Sequence, residues 1–589
     1  MDPNSLKTMG AAAGAAGSDP VYIDDVFKTH LYDGTGSATS IVNGIDLAGE
    51  GGLVWIKNRT SSGQHVIMDT ERGAGHKLHT DSNAAGESGR TDLLSAFNSN
   101  GFSIGGSDNY SNSSSKRYVS WTFRKQKKFF DIVTYTGNGA NRTIAHNLGS
   151  VPGMIIIKQY NDTGDWYVYH KDSHTDPGDR TLYLNTVNEA QSSPTAYNGT
   201  QPTASVFSVG TLGDTNGNGD TFVAYLFASE EAVFGPNQDQ KIISCGTYTG
   251  TGAVNNTVTL GFEPEFVMLK NATDGDGWSN WFCYDSMRRI TTEDHHVLMN
   301  KDSAESNYSG DSVDFTATGF TVQHTGDAHN KSGSRFVYLA VAKRTGRNGS
   351  TFTAGTDVFA VDQGNSSSTI PNFTSNFPVD FAFYRKLSVT QDWWFSSRKT
   401  SGKEARFNQT NVEGSWSPLV FDSMLGWQNH STHDTSIYSW MLRRHQGFDI
   451  VLYKGDGNNP RTITHNLGQA PQLIWTIPRS VVEDRTVGHY DMASSNPWQS
   501  YMDLNSDSAA SATTLYVGTP GVNSYQVASH DRVNGSGETY LGFLFASVDN
   551  ICKVGSYTGS GDTSTTVTTG FQPRWLFIKA VSQSGNWLM

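Results

Sequence analysis

The residues able to do chemistry are few, and most sit in turn-like stretches. Asp214-Thr215-Asn216-Gly217-Asn218-Gly219-Asp220 sets oxygen ligands at alternate positions, as a calcium loop does, but its twelfth position is Tyr225, where an EF-hand needs a carboxylate. The matching stretches Asp327 to Gly333 and Asp531 to Gly537 keep the turn residues and lose the ligands, so a strand-to-strand loop is the favoured reading. His146 and His465 each stand in His-Asn-Leu-Gly without a second ligand at metal spacing, which fits an imidazole capping a turn. His295-His296 and the pair His430 and His433 read as loop histidines without a usefully spaced carboxylate. Asp69-x-x-Arg72 and Asp285-x-x-Arg288 share one spacing. That spacing fits polar recognition of a sugar, or an Asx turn with its Arg paired inside the unit, and recurrence favours the turn. Trp166, Trp278, Trp281, Trp393, Trp394 and Trp498 are candidate sugar platforms. Of these, Trp278 follows Asp274-Gly275-Asp276-Gly277 and is the one expected at the surface. The candidate carbohydrate-binding set is Trp278, Asp276, Asp285 and Arg288.

Catalytic signatures are not apparent. Glycoside hydrolysis needs two carboxylates across the scissile bond, and no Glu-x-Asp-x-Glu strand occurs. Gly-x-Ser-x-Gly, His-Glu-x-x-His and a phosphate loop are also missing. The expectation is a non-enzyme with no cofactor and no metal site.

The elements that must position these residues repeat about every 105–115 residues. Tyr135-Thr-Gly-Asn-Gly139 returns as Tyr248 to Gly252, Tyr453 to Gly457 and Tyr557 to Gly561, with a degenerate copy at Tyr32 to Gly36. A domain-sized period means one module copied along the chain. Each unit closes on an alternating strand with large apolar groups at one parity: Val119, Trp121 and Phe123; Val223, Tyr225 and Phe227; Val337, Leu339 and Val341; Tyr438, Trp440 and Leu442; Leu541, Phe543 and Phe545. Period two with one apolar face predicts a strand lying on a core. Met154 to Lys158, Phe266 to Lys270 and Trp575 to Lys579 predict buried strands. Helix signal is minimal, the best stretch being Asp92 to Phe97.

A second offset of about 318–319 residues relates Phe130 to Phe448, His146 to His465 and Trp121 to Trp440. The array therefore reads A-B-C-A′-B′-C′. Its parts are an N-terminal anchoring segment (1–24), A (25–128), B (129–241), C (242–346), the diverged A′ (347–446), B′ (447–549) and a partial C′ (550–589). The expected fold is all-β: tandem antiparallel β-sandwich modules, five complete plus one partial, each wrapping its own core. C′ stops after its buried strand and following loop, which would leave an unpaired apolar edge and leads us to expect a longer natural chain.

The chain has 589 residues, a net charge of −13 and only 17% charged residues. No basic stripe marks a nucleic-acid surface, and no apolar run approaches the roughly 18–20 residues of a membrane span. Three cysteines at non-equivalent positions exclude a disulfide framework. The first 19 residues lack the apolar centre of an export leader, and release by lysis as part of a virus particle fits that.

Several blocks carry a family resemblance: Gly51-Gly52-Leu53-Val54-Trp55-Ile56-Lys57-Asn58-Arg59, the Asp69 to Gly73 turn, Val119 to Arg124, and Ile144 to Lys158. Together they resemble a repeated domain of unknown function in tail-fibre and other virion proteins of marine bacteriophages, notably those of cyanobacteria. The resemblance implies a jelly-roll sandwich of the concanavalin-A-like lectin/glucanase type. It also implies a virion structural protein, in a tail fibre or tail-associated appendage involved in host attachment, assembled in the host cytoplasm. The N-terminus would dock to other virion proteins, the chain would form a homo-oligomer, expected as a trimer, and a host glycan or protein receptor is a possible partner. A capsid-attached fibre or decoration protein, a lectin or adhesin, and a polysaccharide depolymerase are the alternatives in that order.

Overall fold

The computed structural model describes residues 19–288, 294–307, 311–367, 369–400, 402–416, 419–429, 435–493, 495–561 and 564–589. Most of the expected N-terminal anchor, and His430 and His433, lie outside them.

The chain is all-β, with every strand pair antiparallel. Module A shows the plan. Its strands are β1 (Phe27–Asp33), β2 (Thr39–Val42), β3 (Gly52–Asn58), β4 (Val66–Asp69), β5 (Ala96–Asn98), β6 (Gly101–Ile104) and β7 (Arg117–Arg124). They form a large sheet in the order β1-β7-β3-β4 and a small one in the order β2-β6-β5. Modules B, C, A′ and B′ repeat the pair of sheets, with the large sheet extended to six strands. The stretch Asp92 to Phe97, the best helix signal, ends in β5 instead, where Phe97 pairs with Phe102. In C′, Ile578 bridges Leu588, the same contact that Leu269 makes with Phe282 in C.

The Tyr-x-Gly-x-Gly turn repeats because four separate contacts converge on it. Its Tyr hydroxyl donates to a loop carbonyl in every complete copy: Tyr32 to Ser111, Tyr135 to Thr215, Tyr248 to His329 and Tyr453 to Val533. The ring stacks on an aromatic of the closing strand, as Tyr135 does on Phe222. The first glycine admits a close approach, since a β-carbon on Gly137 would lie 2.0 Å from the Gly217 carbonyl. The second, Gly139, has φ +69°, where a side chain is disfavoured. An asparagine then clamps the turn from the facing loop. Asn216 accepts from the Asn138 N–H and donates to the Ala140 carbonyl; Asn112, Asn330 and Asn534 do the same in A, C and B′. The Asp214 to Asp220 stretch therefore carries a buried structural amide rather than a ring of ligands. Asn330→Ala should cost about 1–3 kcal/mol, because it removes two hydrogen bonds made by a buried amide; a denaturant titration of the purified chain checks this.

The large sheets are buried on both faces: A, A′ and B′ each keep a core of their own between their two sheets, and to these is added a core shared between modules, which the expectation of separate cores lacked. In module A, Val54, Ile56, Val66, Met68 and Tyr118 face the small sheet. The other parity, Leu53, Trp55, Ile67, Val119, Trp121 and Phe123, enters a core that continues through B and C. Phe123 packs on Phe227 of B at 5.5 Å and Phe266 of C at 6.1 Å between ring centroids. The apolar parity of the closing strand, the clearest sequence signal, thus marks a core between modules, not the sandwich interior. A′ and B′ share a second such core, in which Phe381 meets Phe543 at 4.3 Å. Trp575 and Phe577 of C′ pack against it, while Leu576 on the other face stays exposed.

Cyclic hydrogen bonds show how the first three modules close. The Trp166 indole of B donates to the His79 carbonyl of A at 3.0 Å, and the Trp281 indole of C donates to the Tyr183 carbonyl of B at 2.8 Å. The equivalent position in A is His65, whose Nε2 donates to the Leu298 carbonyl of C at 3.0 Å while its Nδ1 accepts from the Trp55 indole. Three buried lysines run the same circuit. Each Nζ donates to a carbonyl of its own loop and to one of the neighbouring module: Lys57 to Gly63 and Asp302, Lys158 to Gly164 and Asn83, Lys270 to Ser279 and Thr186. Burial pushes their ammonium groups down to about 8, 8 and 7. A leans on C, B on A and C on B, so the three sandwiches form a ring with approximate threefold symmetry.

In the second ring two of these three seams recur, C′ on B′ and B′ on A′, the latter with an exchange of residues, while A′ and C′ meet through the stacked rings of Phe359 and Trp575. In C′, Lys579 donates to Gly585 and Asp507, and the Trp587 indole donates to the Asp503 carbonyl of B′. In B′ the lysine position is Ile477 and the indole position is Arg485. The Arg485 guanidinium reaches Glu483 within B′ and Arg406 and Asn411 in A′, doing the work of both missing residues. Its burial lowers the Arg485 pKa to about 10.

Candidate functional site

The four candidate carbohydrate-binding residues do not form one site. Trp278 lies on the outer surface and is 64% exposed. Its loop is an Asx turn: one Asp276 carboxylate oxygen accepts from the Trp278 N–H at 2.9 Å and the Ser279 hydroxyl at 3.1 Å. Asp274 pairs with Lys331 beside it. Asp285 and Arg288, by contrast, are fully buried. Asp285 accepts from the backbone N–H groups of Met287 and Arg288, from Arg288 Nε at 2.6 Å, and from the Trp121 indole of module A at 3.1 Å. Arg288 also reaches Glu305, and its guanidinium lies over the Trp121 ring. A sugar has no path to this pair, so Asp285 and Arg288 leave the candidate set.

Their role is to close the ring. Asp69 occupies the equivalent place in A, paired with Arg72 at 2.7 Å and accepting from the Tyr225 hydroxyl of B at 2.8 Å. In B the place is His170, whose Nε2 donates to the Tyr338 carbonyl of C. Each module thus offers one polar group to the next module's closing strand. Desolvation drives the His170 pKa down to about 4, so the ring stays neutral and its Nε2 proton stays in the bond.

The rings join through buried charge. Glu263 of C accepts both arms of Arg444 at 2.8 Å each and pairs with Lys399 of A′ at 2.8 Å. Arg444 also donates to Asp449 at 2.6 Å. Burial opposes ionisation of Glu263, but the Arg444 and Lys399 cations outweigh it and hold its pKa far below the usual carboxylate range. A second junction links Arg59 of A to Glu305 of C at 2.7 Å and to Asp422 of A′ at 3.0 Å.

The remaining candidates are structural. His146 Nδ1 accepts from the Leu148 N–H and its Nε2 faces the Thr203 carbonyl; His465 does the same with Leu467 and Gly521. His295 and His296 lie in a strand, and His295 does find a carboxylate, Glu305, at 2.8 Å. Trp166, Trp281 and Trp498 are buried, while Trp393 and Trp394 are half-buried. Trp416 is exposed, a surface aromatic beyond the sequence candidates. Among the described residues no group of three or more His, Cys, Asp or Glu side chains could hold a metal ion. No helix there is long and apolar enough to cross a membrane.

These features define an all-β protein of ring-packed sandwiches whose recurrent polar residues hold modules together. The chain belongs to the family of the domain of unknown function DUF7483, whose model matches residues 23–345 and 425–589. The first match spans the whole first ring, and the stretch between the matches falls in diverged A′. No curated protein and no solved structure matches the chain.

Proposed function

We propose that this chain is a structural component of a phage particle, in a tail fibre or tail-associated appendage that meets the host surface. The observation that carries the reading is the ring itself. The lysines, indoles, Asp-Arg pairs and asparagines that recur from module to module are spent on seams and turns, as architecture requires. A trimer in such an appendage would associate chains whose first ring is already closed, and repeated weak contacts would add through effective concentration. Mass spectrometry and labelled electron microscopy of purified particles test the reading. It requires the chain in stoichiometric amounts at the tail, and its absence from particles would reject it.

A glycan-recognition role for the appendage has one observation in its favour, the exposed Trp278 indole. Trp278→Ala should change stability by less than about 0.5 kcal/mol and remove at least most of any saturable signal on a glycan array. An undiminished signal would separate sugar binding from this loop.

A further inference from the structure

Between the two rings lies a cavity of about 50 Å³, lined by β1, by the segment joining C to A′ and by the segment joining A′ to B′. That space holds a few water-sized groups. Its wall carries five basic side chains, Lys28, Lys343, Arg344, Arg443 and Arg444, against three acidic ones, Asp24, Glu265 and Asp380.

The acids are already engaged. Asp24 accepts from Arg344 Nε at 3.1 Å, the Ser350 N–H at 2.9 Å and the Ser350 hydroxyl at 2.6 Å. Asp380 accepts from the Arg444 N–H at 2.8 Å and faces Lys343 and Arg398. Glu265 accepts from the Ser286 hydroxyl at 2.5 Å, and burial pushes its pKa up, which favours the neutral form.

Two cationic groups, Lys28 and Arg443, and one nitrogen of a third, Arg344, are left over. Among the described residues, the charged ends of Lys28 and Arg443 make no direct hydrogen bond or close ion pair, and carboxylates act on them only from a distance: Glu265 and Asp24 on Lys28, and Asp380, Asp24 and Asp357 on Arg443. Arg344 Nη1 is buried and unpartnered, on a side chain only 11% exposed. Arg344 and Arg443 are also held close together, their guanidinium carbons 3.8 and 4.7 Å from the centroid of the Phe352 ring. Cation–π contact offsets only part of the cost of burying like charges side by side. Burial and Arg443 together lower the Lys28 pKa to about 8, which still leaves it mostly charged at neutral pH. Asp24 is the carboxylate these three half-buried cations share, so positive charge is in excess around the cavity, and an anion held there would offset it.

We propose that this inter-ring cavity binds a compact tetrahedral oxyanion, phosphate or sulfate, through Lys28, Arg344 and Arg443. The anion joins module A to both connecting segments, so its occupancy fastens the first ring to the second. Ligand that binds the folded state alone raises stability by mass action.

Calorimetric titration of the full chain with inorganic phosphate and with sodium sulfate, at ionic strength fixed with sodium chloride, tests this. Saturable binding of one anion per chain is expected, with a matching rise in melting temperature. Arg443→Gln and Lys28→Gln should each weaken binding at least tenfold, and each should raise the melting temperature of the anion-free protein by relieving repulsion. If a glutamine variant fails to fold, Arg443→Lys and Lys28→Arg keep the charge and should retain binding. No heat above the chloride control, equal stabilisation by acetate, or glutamine variants that bind as the parent does would each overturn the proposal. Phosphate and sulfate arms that differ would show which oxyanion the cavity prefers.

Discussion

Trp281→Ala should lower the unfolding free energy of the first ring by about 3–5 kcal/mol, the cost of emptying a buried indole site. Trp281 is fully buried, and its N–H satisfies the Tyr183 carbonyl across the seam between C and B. The variant therefore opens a cavity and takes a hydrogen bond from a carbonyl in a different module. Loss of hydrogen-exchange protection should appear in B as well as C. Protection lost in C alone would mean that the seam carries little energy.

Glu263→Ala should be as severe, at about 3–5 kcal/mol, because it leaves Arg444 and Lys399 buried without their shared counter-charge. The same pair gives an acid dependence of known sign. The folded-state pKa of Glu263 is depressed, whereas the unfolded value is about 4.3. Its stabilising contribution is complete above roughly pH 5 and is lost as pH falls toward the folded value. Glu305, held down by Arg59, His295 and Arg288 against the opposing effect of burial, adds in the same direction. Melting temperatures measured from pH 6 to pH 3 should fall steeply for the parent and less for Glu263→Gln. Parallel curves would remove Glu263 from the acid response.

The strands and turns were legible in the sequence because alternation and glycine positions are local properties. Val119, Trp121 and Phe123 announce a buried face, and Gly137 and Gly139 a turn that admits no side chain. The destination of that face was not legible. A sheet buried on both sides needs apolar groups at both parities, and pattern alone cannot say which parity meets the neighbouring module. Asp285 and Arg288 show the same limit. Their spacing revealed an Asx turn with a local ion pair, yet the partner that buries them is Trp121, 164 positions away. The asparagine clamp was visible as Asn112, Asn216, Asn330 and Asn534 at matching places in four modules. Its meaning was not local: the turn that Asn216 clamps lies 78 positions away in the sequence, and within its own stretch Asn216 reads only as an oxygen in an ion-like loop. Arg485 was hidden for another reason: it replaces a lysine and an indole at two different positions, so neither motif survives locally.

Denaturant-dependent native-state hydrogen exchange on the intact chain tests the shared core most directly. The slowest amides of Gly52–Asn58, Met154–Gln159 and Pro264–Asn271, one central strand from each of A, B and C, should converge on a single opening free energy with a single denaturant slope. Three separate opening energies with slopes sized for single modules would contradict a ring that folds as one unit.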